Sequence, residues 1–399
     1  MKRYDSYKDS GVEWIGEIPT NWKSKRFSYS IDIQKGKIPK NLTDEKLVDS
    51  LPYLSMGVLR GDKPKEFSNE SGIVHVSKGD IGLLWDGSNS GEVIRINREG
   101  ILSSTVSLLS LKDDSIDKEF CFYLLKFYEN DFRENTIGMG IPHVSGDHVR
   151  ESKLIIPPLS EQQQIVSFLD TKTSLIDSLI EKTQRKIELL KEKKTSLINE
   201  VVTKGLNPNV EMKDSGVEWI GEIPIGWETP QIKFITELMR GKFTHRPRND
   251  QRFYNGEYPF IQTGDVVSSG KYLTKFKQTL NERGYSVSKE FPIGTLVMTI
   301  SGNIGDVSIL KIKSCFPDSI IGFFPFESTS VDYLYHVFGS LRQEFYKNST
   351  VSTQMNLNVD RVASIKIPLP PLSEQQQIVE YLDEQTQLID NTISIEEKR

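Results

Sequence analysis

The stretch that decides the fold is Lys8–Pro19, KDSGVEWIGEIP, because it is written twice. The same twelve residues return at Lys213–Pro224, at an offset of 205. A second block, PPLSEQQQIV, stands at Pro157–Val166 and returns at Pro370–Val379, at an offset of 213. Each half of the chain therefore runs as short motif, variable segment, proline pair and helix. A repeat of this kind sets the architecture before any local reading does. The variable segments, 23–156 and 228–369, share no evident similarity, and the eight-residue difference in offset falls inside them. Drift after a duplication would erode frames and inserts together. Identical frames around unlike inserts point to one scaffold presenting two different surfaces.

The second block reads as a helix start. Two prolines end an extended segment, Ser160 is expected at the N-cap, and Gln163 three residues on closes a capping box. Ser373 and Gln376 repeat this. No proline or glycine follows Ser160 before Gly205. A helix of about 45 residues, roughly 65–70 Å long, is predicted. That length indicates a coiled coil. Ile165, Leu169, Ile176, Ile180, Ile187, Leu190, Leu197 and Val201 supply its seam, with Thr183 and Lys194 as imperfect members. Ile378, Leu382, Ile389 and Ile393 repeat the first part of it. Arg399 corresponds to Lys186, so about 18 residues of the first helix have no counterpart in the second. The second helix is therefore expected to be short: clipped, or meeting another chain along that end of the seam. Trp14 and Trp219 read as aromatic anchors of the frame. Together with Gln163 and Gln376 they are the candidate partner-binding residues.

Both inserts read as mixed α and β. In the first, 73–76, 81–85, 93–96 and 106–111 are predicted strands and 120–128 a buried helix carrying Cys121. In the second, 258–262, 295–300, 307–312 and 320–326 are predicted strands and 331–346 a helix. The loops leaving these strands are polar and glycine-rich, and they recur at similar places. Lys35 and Lys37 flank Gly36, as Lys242 follows Gly241. Asp86, Ser88 and Asn89 leave one strand, as Ser301 and Asn303 leave another. Met139 and His143 precede the return to the frame, as do Gln354, Asn356 and Asn358. Thr244, Arg246, Arg248 and Thr263 fall in or beside the locally basic stretch 233–252. In a DNA groove Asn and Gln pair with adenine and Arg or Lys with guanine, while hydroxyls and cations hold phosphates. These residues are the candidate DNA contacts. Each loop taken alone is ordinary turn chemistry.

Composition narrows the class. Fifty Lys and Arg against 55 Asp and Glu give a net charge of −5, which argues against a generic polyanion binder and leaves local basic surfaces open. No apolar run reaches the roughly 18 residues of a membrane helix. The N-terminal residues carry no apolar core of a secretory signal, and two cysteines 194 positions apart make no disulfide framework, so a cytoplasmic location is expected. Catalytic signatures are missing. There is no GxxxxGK[ST] loop, GxSxG or HExxH. The one Asn-Pro, Asn207-Pro208, continues as Asn209 rather than as a second proline and an aromatic. Five scattered histidines suggest no metal cluster. Asp318 with Glu327 has the outline of a nuclease carboxylate pair, yet no lysine stands two residues after Glu327, and Asp318 reads as a turn residue. Two other classes stay open: a coiled-coil protein-interaction scaffold without DNA specificity, and a metal-dependent nuclease.

The pair of motifs, each used twice around unlike inserts, resembles the specificity subunit of type I restriction–modification systems. The resemblance covers nearly the whole chain. It implies an α+β fold: two mixed α/β target recognition domains separated by two long antiparallel helices, with a pseudo-twofold internal repeat. The implied domains are 1–156 with the first recognition domain, 157–207 as the spacer helix, 208–369 with the second recognition domain, and 370–399 as a shortened second helix. Each recognition domain would read one half of a split, asymmetric double-stranded DNA target. The helices would set the gap and dock two methyltransferase subunits, with restriction subunits joining the full complex. The chain itself would be non-catalytic and without a cofactor or metal. S-adenosylmethionine, ATP and Mg²⁺ are expected on the partner subunits.

Overall fold

A computed structural model describes residues 4–138, 140–347 and 357–399. The chain divides into two compact units, Met1–Leu179 and Ile180–Arg399. A 46-residue helix, Leu159–Lys204, begins in the first and ends in the second. No helix is long and apolar enough to cross a membrane among the described residues.

In unit one the main sheet runs Ile31–Lys35, Val106–Leu111, Ile81–Leu84 and Val93–Arg95, every neighbour antiparallel. The helix Lys118–Glu134 packs its Phe120, Cys121, Leu124, Leu125, Tyr128 and Phe132 face on it. A smaller sheet runs Phe67–Ser68, Leu51–Leu54, Gly100–Leu102 and His75–Val76, with the middle pair parallel. Lys153–Ile156 pairs with Lys23–Arg26 and returns the chain to the frame.

Unit two repeats this plan with other residues. Its main sheet runs Thr236–Arg240, Ile320–Pro325, Leu296–Thr299 and Val307–Leu310, then adds Tyr272–Leu273 at the edge. Its smaller sheet runs Gln278–Leu280, Tyr254–Phe260, Ser314–Cys315 and Glu290–Phe291, again with a parallel middle pair. The predicted strands are present. The sequence reading missed the first strand of each main sheet and most short pairings of the smaller ones. The helix expected over 331–346 is two helices, Val331–Ser340 and Arg342–Lys347.

One glycine in each unit is fixed by this crossing. Gly36 follows the first strand, and a Cβ there would lie 2.2 Å from the Ser103 carbonyl oxygen. At Gly241 a Cβ would lie 2.3 Å from the Pro317 carbonyl oxygen. Both N–H groups bond the last strand, to Val106 at 2.9 Å and to Ile320 at 2.9 Å. The lysines beside these glycines therefore leave the sheet where two backbones touch, which only glycine permits.

The long helix does not start as expected. Its first residue is Leu159, with Gln162 N–H bonding the Pro158 carbonyl at 3.0 Å. In the repeat the N-cap is Pro371, with no side-chain cap. Ser160 and Ser373 thus lie inside the first turn and cap nothing, and Gln163 and Gln376 point to solvent. The neighbouring glutamine does the work instead. Gln162 is fully buried; its amide donates to the Pro157 and Ser115 carbonyls at 2.8 Å each and accepts from Asp117 N–H at 2.8 Å. Gln375 repeats this with Pro370, Ser328 and Ser330. One buried amide in each unit ties the start of the frame helix to the N-cap of the helix on the sheet. Leaving those backbone groups unpaired is costly, which explains a glutamine in the core.

Within unit two the end of the long helix and Leu372–Glu397 lie antiparallel. Lys186 pairs with Glu396 at 2.7 Å and Lys194 with Asp390 at 2.6 Å. Ile378 and Leu382 are fully buried there, and Ile389 and Ile393 are 8% exposed. Ile176, expected in the seam, is 53% exposed.

Candidate nucleic-acid interface

In unit one the candidates gather around Asp86. Its carboxylate accepts from Lys35 Nζ at 2.8 Å and from His143 Nδ1 at 2.7 Å. Burial would raise this carboxyl, but the hydrogen bonds from Lys35 and His143 outweigh it and hold it below the usual carboxylate range. The backbone builds the cluster: Val144 N–H bonds the Trp85 carbonyl at 2.9 Å and Gly87 N–H bonds the Pro142 carbonyl at 3.0 Å. Two loops distant in sequence thus form one rim. Ser88 is exposed on it and Asn89 is half-buried. Lys37 is exposed beyond Gly36. Met139 lies outside the described residues.

In unit two the equivalent edge carries a different set. Leu357 N–H bonds the Ile300 carbonyl at 3.0 Å, as Val144 does with Trp85, so Ser301 stands where Asp86 stands. Thr299 Oγ1 bonds the Asn303 carbonyl and shapes that loop, leaving the Asn303 side chain exposed. Gln354 and Asn356 lie outside the described residues. Asn358 caps the helix Val359–Ser364, its side chain accepting from Asp360 N–H at 2.9 Å, so its oxygen is committed to structure.

The acidic centre of unit two is Asp318, which is more than a turn residue. Arg248 pairs with its carboxylate, Arg246 lies 3.5 Å from it, and Arg240 Nε donates to its carbonyl at 2.5 Å. Arg246 also donates to the Phe243 and His245 carbonyls, at 2.6 and 2.8 Å. The guanidiniums are thereby fixed at the surface, and all three arginines are exposed. Lys242 and Thr244 are exposed beside them. Thr263 opens the short helix Thr263–Ser268 and is half-buried.

Sequence reasoning missed the polar cleft next to this cluster. Its volume is about 390 Å³, and Arg248, Asn249, Gln251, Asn255, Gln262, Lys277 and Gln278 line it. Gln262 Nε2 donates to Gln278 Oε1 at 3.0 Å, which joins two of the lining amides. The cleft lies where Tyr254–Phe260 pairs with Gln278–Leu280, a pairing no local pattern announces; Asn255 and Gln278 stand on those strands and the other lining residues on the segments next to them.

The frame has two further tryptophans beside the expected pair. Trp22 and Trp227 donate from Nε1 to Glu161 and Glu374, both at 3.0 Å, and fix motif to helix in each unit. Trp14 stacks near Phe127 and Tyr128 at 5.1 and 5.0 Å and is 47% exposed, whereas Trp219 is half-buried on the unit-two core. Both cysteines are buried, and burial pushes Cys121 up to about 12 and Cys315 up to about 11, so neither is poised as a nucleophile.

Two domains of one topology, held on repeated frames and differing in the polar groups at one edge, define a duplicated recognition protein. Residues 19–189 and 224–399 match the type I restriction modification DNA specificity domain. The chain belongs to the family of type I restriction–modification specificity subunits. It is 32% identical over 409 residues to the MjaVIII specificity subunit of Methanocaldococcus jannaschii, covering 96% of this chain and 89% of that protein. It is 24% identical over 348 residues to the EcoR124I/EcoR124II specificity subunit of Escherichia coli, covering 79% and 75%. A chain solved in work on complex assembly and conformational transition of the type I R-M system has the same fold, with TM-score 0.70, 17% identity and coverage of 96% and 94%. The HsdS subunit from Thermoanaerobacter tengcongensis follows with TM-score 0.54, 17% identity and coverage of 96% and 92%.

Proposed function

We propose that the chain reads a bipartite DNA target for a type I restriction–modification complex. Unit one reads one half-site with the rim around Lys35, Asp86 and His143. Unit two reads the other with Arg246, Arg248 and the Gln262–Gln278 cleft. Membership of the family supports the DNA role. The observation that carries the two-half reading is the shared topology with unlike polar edges: the same backbone offers two different donor–acceptor patterns. Hydrogen-bond pattern is what a major groove distinguishes. The long helix sets the gap between half-sites, and the frames dock methyltransferase subunits. Catalysis, with S-adenosylmethionine, ATP and Mg²⁺, belongs to those partners and to restriction subunits.

The test is a base-resolution adenine methylation map in a methylation-free host that expresses this chain with its methyltransferase subunit. A split motif is expected, absent without this chain. Exchanging residues 228–369 for those of another specificity subunit should change one half only. Insertion of one heptad in the long helix should widen the gap and spare both halves. A continuous motif, or one in which both halves change together, would overturn the reading.

A further inference from the structure

The polar cleft of unit two is concave, and its shape bears on what enters it. A DNA groove shows only the edge of a stacked base, so a groove reader projects side chains toward that edge. A cleft of about 390 Å³ has the size of a small-molecule site and admits a whole group instead. Phe243, Tyr254 and Phe260 line it, with ring centroids 5.2–6.1 Å apart. Phe243 and Phe260 are buried and Tyr254 is half-buried, so the rings give one partly open aromatic wall.

The rest of the lining is polar. Asn249, Gln251, Asn255, Gln262 and Gln278 bring amides, which carry donors and acceptors together. Arg248 and Lys277 bring positive charge, and no acidic residue lines the cleft among the described residues. Arg248 is paired with Asp318, whereas Lys277 has no ion pair among the described residues. The backbone shapes the opening. Tyr254 and Tyr258 both pair with Leu280, so the strand bulges between them. Asn255, in that bulge, has a φ of 63°, in the left-handed region. Asn281 Nδ2 holds the Tyr254 carbonyl at 3.1 Å, and the Tyr254 hydroxyl donates to the Arg248 carbonyl. Bulges of this kind re-aim side chains at binding sites.

We infer that the cleft takes one DNA nucleotide turned out of the duplex. Its base lies against Phe243, Tyr254 and Phe260, the amides meet its hydrogen-bonding edge, and Lys277 meets a flanking phosphate. Aromatic faces stack any base, and amides choose among bases. Lys242, Thr244 and Arg246 are exposed close by and suit the neighbouring phosphates. The inference rests on the proposed reading of DNA by unit two.

Mismatched duplexes test it. The mapped target is mismatched one base pair at a time in the unit-two half, and binding to the chain assembled with its methyltransferase subunit is measured. A mismatch at a pair read in the groove weakens binding. A mismatch at a base that leaves the stack tightens it, by about tenfold, because pairing no longer has to be broken. The methylated pair is set aside, since a methyltransferase itself unstacks a base there. One further tightening position is expected, and Gln278→Ala and Lys277→Ala, both at exposed positions, should each remove most of the gain. If every other mismatch weakens binding, or the gain survives both substitutions, the inference falls while the DNA reading stands. No specific binding to the matched duplex would overturn both. Titration with the four deoxynucleoside monophosphates covers the other source of the same chemistry. Saturable binding that Gln278→Ala removes, with no tightening mismatch, would assign the cleft to a free nucleotide and overturn the duplex form.

Discussion

The two units share a fold and differ in three places. At the frame, unit two buries its tryptophan more deeply than unit one: Trp227 is 1% exposed, while Trp22 is half-buried with the same bond to a helix glutamate. At the recognition edge, unit one centres a lysine and a histidine on Asp86, and unit two centres arginines on Asp318. Attachment to the frame helix differs as well. Tyr123 donates to Asp170 at 2.5 Å in unit one; at the equivalent positions of unit two His336 pairs with Asp383 at 2.9 Å, and Lys271 joins it. The difference teaches that the shared part is backbone order, the repeated frame motifs and their buried glutamines, while the recognition edge varies.

The largest test of that contrast is Trp227→Ala, which should cost about 3–5 kcal/mol in urea unfolding. Trp22→Ala should cost about half as much; equal losses would break the claim that the two frames are unequally covered. The glutamines should behave alike. Gln162→Ala and Gln375→Ala should each cost about 2–3 kcal/mol, because backbone groups of two helices lose their partner. A large difference between them would mean the network is structural in one unit only.

At the recognition edge, Asp86→Ala should relax one half of the methylated motif and Asp318→Ala the other, each by about 1–3 kcal/mol of discrimination. A change in the opposite half would overturn the assignment of one domain to one half-site. A smaller effect separates the units by pH. Hydrogen bonds from Lys25 and Ser115 lower the Asp113 carboxyl to about 2, and Phe326 occupies the equivalent position of unit two. A depressed carboxyl stabilises above its unfolded value, and that stabilisation is lost as pH falls from about 4 to 2. Melting curves across that window should show a loss that Asp113→Asn reduces by a small increment, because screening at this partly exposed pair keeps its share small. Smallest of all, Ser160→Ala should change stability by less than about 0.5 kcal/mol, where an N-cap serine would give about 1.

Much of this was legible along the chain. Two repeated motifs determined the duplication, the long helix and the alternation of frame and insert, because identity and unbroken helical periodicity are local signals. The main strands and the loops holding Lys35, Asp86, His143, Arg246 and Arg248 were local too. The helix start was misread by two residues because a serine after two prolines satisfies the capping pattern, while the burial of Gln162 depends on Ser115 and Asp117 some 45 positions away. Only tertiary structure could bring Asp86 to His143, Asp318 to three arginines and Gln262 to Gln278, since each pairing joins separate segments of the chain, from 16 to 78 positions apart. Only it could show that like frames are unlike in cover. The motif residues are the same in both units, and Trp227 is the more deeply buried because Val201 and Val202 of the long helix share its core cluster.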